Sequence, residues 1–249
     1  MTELTRAISA ESLKLKRTLA LRLAVIAPLF IVLLQLGVYL ARGEDVERAA
    51  TNPVAGFARG IVTLWTLVFL PFWATLAASL CASLDHDGNH WDQLFALPMR
   101  RWPVYAAKWI IVFGLVVLSS ICLPLFAVAA VEILKQVRVG WRGAALPWRL
   151  LLSGVSRSCC ACLLLISLQC WLSLRWRSFL VALGVGIAGI MSGIILISAP
   201  MRFLSLYPWT ASAAAASPHE PLLPLLWGMC GGLAIAVIAC WRLAIRDRF

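Results

Sequence analysis

Apolar residues run along this chain in continuous blocks and not in alternation. Six blocks stand out, at about 20–41, 58–84, 105–132, 148–172, 179–199 and 222–241. A helix needs about 20 apolar residues to cross a bilayer core, and every block supplies that. A membrane β-barrel would show short strands of alternating polarity, which these blocks lack. The pattern predicts an all-α polytopic membrane protein with six transmembrane helices. The first block starts too late, runs too long and lacks a small-residue cleavage site, so it reads as a span and not as a signal peptide. Pro28, Pro71 and Pro124 fall inside the first three blocks. They predict kinks there, unless local adjustment and neighbouring groups re-satisfy the backbone.

The polar intervals carry the remaining information. Residues 3–18 precede span one and predict an amphipathic interfacial helix. At about 100° per residue, Leu4, Ala7, Ile8, Leu15 and Leu19 share one face, with Glu11 in its middle. An acid on a lipid-facing stripe is out of place unless it meets a cation or another protein. One account makes the segment a basic topology anchor with Glu11 paired to Lys14 or Lys16, and the other makes it a docking element.

Residues 85–104 form the longest connection on the same side. Asp87 or Asn89 can cap a short helix there, Asp92 suits its first turn, and Pro98 stops it. Trp91, Leu94 and Phe95 then stand at i, i+3 and i+4, an apolar knob that a cytoplasmic partner can grip. The alternative lays Trp91 into the headgroups as an aromatic anchor. The opposite connections, about 42–57, 133–147 and 200–221, are too short for a substrate-binding domain. The last, with Pro208, Pro218, Pro221 and Pro224 around Ala211 to Ala216, reads as a plain loop. A short re-entrant or interfacial helix is the alternative there.

Composition sharpens the class. Of 249 residues, 62% are hydrophobic and 13% charged, against roughly 45–50% apolar and 25% charged in soluble domains. A soluble globule, a disordered chain and a coiled coil are excluded. Lys and Arg near the span ends number thirteen on the side of the termini and eight on the other, with Arg157 uncounted inside span four. Both termini are therefore expected in the cytoplasm. The net charge of +11 fits that anchoring and anionic lipid; no basic-aromatic module points to nucleic acid. The eight cysteines lie in or beside apolar runs, which argues against a disulfide framework. Cys159, Cys160 and Cys162 have no nearby histidine, and His86 and His90 have no second cluster, so no metal is expected.

Within the spans, Gln35, Glu132, Arg157 and Gln169 are candidate pathway or packing groups, with Glu132 a candidate counterion for Arg157. A guanidinium at membrane depth is costly and should face the bundle, a wet cavity or a partner. Gly186, Gly189 and Gly193 give span five a small-residue face, for helix packing or a dimer interface. There is no tandem repeat, so residues 1–249 read as a single domain. No Gly-x-x-x-x-Gly-Lys-Ser/Thr loop occurs, so no nucleotide site is encoded. The HExxH motif, paired intramembrane aspartates and a Ser/His pair, any of which would support an intramembrane enzyme, are not found either.

The stretch Glu11-Ser12-Leu13-Lys14-Leu15-Lys16-Arg17 resembles the entry helix of ABC-2-type transporter permeases. The Trp91-to-Pro98 connection, Arg100-Arg101 and Tyr105-Ala106-Ala107-Lys108 resemble their loop for docking the ATPase. The chain is most similar to small permease subunits of lantibiotic and bacitracin self-protection exporters, in length, span number and loop pattern. Those permeases commonly open the loop with Glu, where this chain has Asp85 or Asp87. The resemblance implies a transport subunit of the bacterial plasma membrane, not itself an enzyme, exporting an amphipathic peptide or drug. It implies a homodimer or heterodimer with a second permease, beside a separate ABC ATPase that binds ATP and Mg; no cofactor is expected on this chain. ATPase docking would fall on Glu11, Asp85, Asp87, Trp91, Leu94, Phe95 and Pro98. A non-transporting membrane anchor and a permease for a lipid or glycan precursor are the alternatives.

Overall fold

The computed structural model describes residues 3–15, 18–49, 52–86, 102–143, 145–176, 178–197, 204–217 and 222–246. Among these residues there is no strand. The helices are α1 (Glu3–Leu15), α2 (Leu19–Ala49), α3 (Pro53–Leu64), α4 (Leu70–His86), α5 (Trp102–Val137), α6 (Trp148–Ala161), α7 (Leu163–Arg175), α8 (Phe179–Ile197), α9 (Ala211–Ala216) and α10 (Leu222–Arg246). A π turn, Trp65–Phe69, joins α3 to α4. Six stretches are long and apolar enough to cross a membrane: Leu19–Ala41, Pro53–Ser83, Trp102–Val137, Trp148–Arg175, Phe179–Leu196 and Leu222–Ile245. The protein is a multi-pass membrane protein.

Spans two, three and four bury half or more of their most apolar windows, whereas spans one, five and six expose most of theirs. The centre of the bundle is therefore built from α3 to α7. Trp65, Trp73, Phe57, Leu123 and Leu134 fill it. Near the start of α3, the edges of the Tyr39, Phe57 and Trp141 rings meet at 5.2 to 6.0 Å between centroids.

Two boundaries differ from the sequence reading. The connection between the first two spans is largely helical, because α2 runs on to Ala49 and α3 begins at Pro53. Asn52 caps α3, its Oδ1 accepting from Ala55 N at 3.0 Å, and Pro53 takes the first-turn position where its missing N–H costs nothing. At the N-terminus, Leu19 opens α2 and is 59% exposed, so it does not belong to the buried face of α1.

The prolines are handled in different ways. Pro28 and Pro124 lie inside uninterrupted α-helices. Pro71 follows the π turn, in which Leu70 N–H bonds Trp65 O, five residues back. In that register the carbonyl of Thr66 is the partner that Pro71, lacking an N–H, leaves without a donor. Ser212 supplies the donor, its Oγ lying 2.9 Å from Thr66 O.

Ser212 sits on α9, and here the plain-loop expectation is corrected. Residues Ala211 to Ala216 form a short helix packed inside the bundle, with Ala211, Ser212 and Ala215 buried. Ser158 of α6 shares its hydroxyl proton between Gly154 O at 2.7 Å and Ser212 O at 2.9 Å. The alanines matter for their size, which lets a helix enter between α6 and the π turn, while the prolines flank the helix without interrupting it.

Span four is itself broken at Cys162, between α6 and α7. Alongside the break, α10 approaches so closely that a Cβ on Gly228 would lie 2.4 Å from Ala161 O, and one on Gly232 2.5 Å from Leu163 C. Only glycine permits this backbone contact.

Ser212→Ala leaves the Thr66 carbonyl buried without a donor and should destabilise the protein by about 1–3 kcal/mol, read as a lowered unfolding midpoint in detergent. In a Pro71→Ala background the restored N–H can serve that carbonyl, so the same change should cost much less. Equal losses in both backgrounds would contradict the assignment.

Candidate functional site

The buried face of α1 consists of Ala7 and Glu11, one helical turn apart. Glu11 is only 7% exposed, and the group that receives it is Lys108 of α5, 2% exposed. Lys108 Nζ donates to Glu11 Oε2 at 2.9 Å and to Cys81 O of α4, also at 2.9 Å. The second carboxylate oxygen accepts from Lys14 Nζ at 2.7 Å, within the half-buried last turn of α1. Each oxygen of Glu11 thus meets a different lysine.

The pairing with Lys14 is the local one anticipated from spacing; such pairs contribute about 0.2–0.5 kcal/mol. Lys108 is of another kind. Removing one partner of a buried pair typically costs about 3–5 kcal/mol, because the other charge stays buried without that counter-charge. The two lie 97 residues apart in the chain, so no local pattern announces the contact. The available signals were an acid on the apolar stripe of residues 3–18 and a lysine inside the apolar start of span three.

The ammonium lies six residues into α5, roughly 9 Å along the helix axis. Its neighbours carry the connection further. Trp109 Nε1 donates to Ser167 Oγ on α7 at 2.8 Å, and Ser167 Oγ donates to Gly232 O on α10 at 2.7 Å. Tyr105, fully enclosed, places its hydroxyl 3.4 Å from Ser167 O. One short stretch of α5 therefore touches α1, α4 and α7 by polar contacts, and reaches α10 through Ser167.

This junction stands where α4 leads into residues 87–101 and α5 leads out of them. Asp85 falls in the last turn of α4. Asp87, Trp91, Leu94, Phe95 and Pro98 lie outside the described residues.

The four polar span residues do not come together; no hydrogen bond or ion pair joins any two of them. Half-buried Gln35 packs against Gly60, where a Cβ would meet its amide nitrogen at 2.2 Å. Glu132 is exposed and pairs with Lys135 at 2.8 Å, so it is not the counterion of Arg157. Arg157 turns back on its own helix, bonding Ser153 O at 2.9 Å and Ser153 Oγ at 3.0 Å. That local fork occupies two of the five guanidinium N–H donors without a carboxylate. Gln169 is fully buried, its Nε2 donating to Ala182 O of α8 at 2.6 Å.

The span-five glycines face their own chain. A Cβ on Gly186 would collide with Thr75, one on Gly189 with the Trp209 indole, and one on Gly193 with Thr210. The closest backbone approach falls instead at Gly228 and Gly232, a small-residue spacing equally visible in the sequence.

Glu11→Gln and Lys108→Met should each lower stability by about 3–5 kcal/mol, and the double variant should lose clearly less than the sum. Lys14→Met should cost under about 1 kcal/mol. Unfolding in detergent measures all four; additive losses for Glu11 and Lys108 would contradict a direct pair.

Residues 7–193, three quarters of the chain, match the family model described as ABC-2 family transporter protein. Neither a curated protein nor a solved structure matches the chain.

Proposed function

The chain belongs to the ABC-2 transporter family, and on that premise we propose that it is the permease subunit of an ATP-driven exporter in the bacterial plasma membrane. Membership implies a membrane transport component that works with an ABC ATPase subunit. ATP and Mg are bound by that partner, and the substrate is amphipathic, such as a lantibiotic-like peptide or a drug. The whole chain acts as one permease unit, paired with a second permease, with both termini in the cytoplasm. The excess of Lys and Arg at the terminal end supports that orientation.

The observation that carries the mechanism is the buried Glu11–Lys108 pair with its second bond to Cys81 O. In this reading the ATPase grips residues 85–101 through Trp91, Leu94 and Phe95, with Asp85 and Asp87 beside them. Motion of that loop pulls on the end of α4 and the start of α5 together, because Lys108 bonds both Glu11 and the α4 backbone. The interfacial helix α1 then follows as part of the same body. A switch of this kind needs the ATPase to favour one arrangement of the spans over the other by its differential binding. Of the candidate pathway groups, Glu132 and Arg157 retain exposed surface, whereas Gln169 ties α7 to α8 in this arrangement. The short outer connections fit a substrate that arrives from the membrane.

Purification of the full chain in mild detergent from its native membrane should recover an ABC ATPase. Trp91→Ala and Leu94→Asp should reduce that recovery at least about tenfold, equivalent to about 1.4 kcal/mol of lost binding, without lowering the yield of permease. Folded wild-type protein that brings down no ATPase would count against the exporter reading.

A further inference from the structure

At the end of the bundle that carries both termini, a cavity of about 520 Å³ opens between α5, α7 and α10. Tyr105, Trp171, Arg175, Arg242 and Leu243 line it among the described residues. Directly beside it runs a groove of about 480 Å³ between α5 and α10, faced by Trp102, Trp109, Val237, Cys240 and Trp241. Tyr105 borders both. Each volume falls in the range of ligand sites, roughly 300–1,000 Å³.

The two spaces differ sharply in chemistry. The cavity presents two exposed guanidinium groups, and no carboxylate among the described residues pairs with either. Planar guanidinium forks match phosphate oxygens. The groove is faced by indoles and aliphatic side chains, with no charged group among the described residues. A free phosphate would have no use for it. Helical geometry makes the pair possible, since Ala239, Arg242 and Leu243 turn to the cavity while Val237, Cys240, Trp241 and Ala244 turn to the groove.

The shared wall is also held in place. Tyr105 and Trp109 both bond to Ser167 of α7, which in turn bonds the α10 backbone at Gly232. A ligand there meets a wall that is already ordered, which lowers the cost of binding.

We propose that cavity and groove together bind one anionic phospholipid, the phosphate between Arg175 and Arg242 and an acyl chain along Trp109 and Trp241. Its source is the cytoplasmic leaflet, which rests on the orientation proposed above. The bound phosphate bridges the ends of α7 and α10, one turn of α5 away from Lys108. The lipid is thereby placed to brace the helices that flank the junction.

The test uses the purified full chain in neutral detergent, offered equal amounts of phosphatidylglycerol and phosphatidylcholine, with retained lipids read by native mass spectrometry. Two basic groups at an anionic headgroup should favour phosphatidylglycerol by about 30-fold. Arg175→Gln with Arg242→Gln should bring the preference close to parity. Arg22→Gln, exposed on α2 at the same end, should leave it intact, and Trp241→Ala should lower retention of both lipids. Millimolar inorganic phosphate should not displace the lipid. The inference is overturned if the wild type shows no preference, if the double variant keeps it, if Arg22→Gln abolishes it equally, if Trp241→Ala leaves retention unchanged, or if phosphate competes the lipid away. Because no ATPase is present and lipid reaches both faces of the protein, failure here would leave the exporter reading and the orientation standing.

Discussion

A carboxylate and an ammonium removed from water together hold this structure's N-terminal helix to its bundle. Glu11 and Lys108 each lie almost wholly buried, at 2.9 Å from one another, where a charge is costly unless it is paired. Helix α1 has 13 residues, about the length at which isolated helices are only marginally stable in water. Its order thus depends on docking, and its docking depends on Lys108. The same ammonium also bonds the α4 backbone at Cys81, so it links α1 to both helices that flank residues 87–101.

Two departures from regular helix elsewhere are met by contacts from other helices. In lipid no water can satisfy a freed carbonyl, so irregular backbone survives only where protein supplies the missing group. The π turn before Pro71 meets that condition through Ser212, and the break at Cys162 is covered by the glycine face of α10. These contacts make α9 a wedge that reads the shape of span two at one end of the bundle, while the Glu11–Lys108 pair does so at the other.

How much of this was legible in the sequence follows from the range of each interaction. Six spans were legible because continuous apolar blocks report directly on the bilayer, and their ends fell within about five residues of the helices found, except that α2 runs eight residues further, to Ala49. The amphipathic character of residues 3–18 was also legible, including the anomaly of Glu11 on the apolar face. Its partner was not, because a pair separated by 97 residues leaves no periodic trace. The helix α9 was hidden by its length, six residues, and by prolines on either side that resemble loop punctuation. Arg157 and Glu132 were matched by charge, but the arginine bonds a serine one turn away and Glu132 pairs with Lys135. The small-residue spacing in span five was equally legible, yet spacing alone does not say which surface a helix meets, and span six holds the tighter approach.

Hydrogen exchange of the α1 amides measures the central interaction most directly. With Lys108 in place, residues 3–15 should exchange slowly, at rates set by undocking of the helix. In Lys108→Met those amides should exchange faster by about 100-fold or more, as the loss of 3–5 kcal/mol of docking requires, while amides in the core of spans two and four stay protected. Unchanged protection of α1 in that variant would show that something other than the buried pair holds the helix, and the coupling drawn from it would fail.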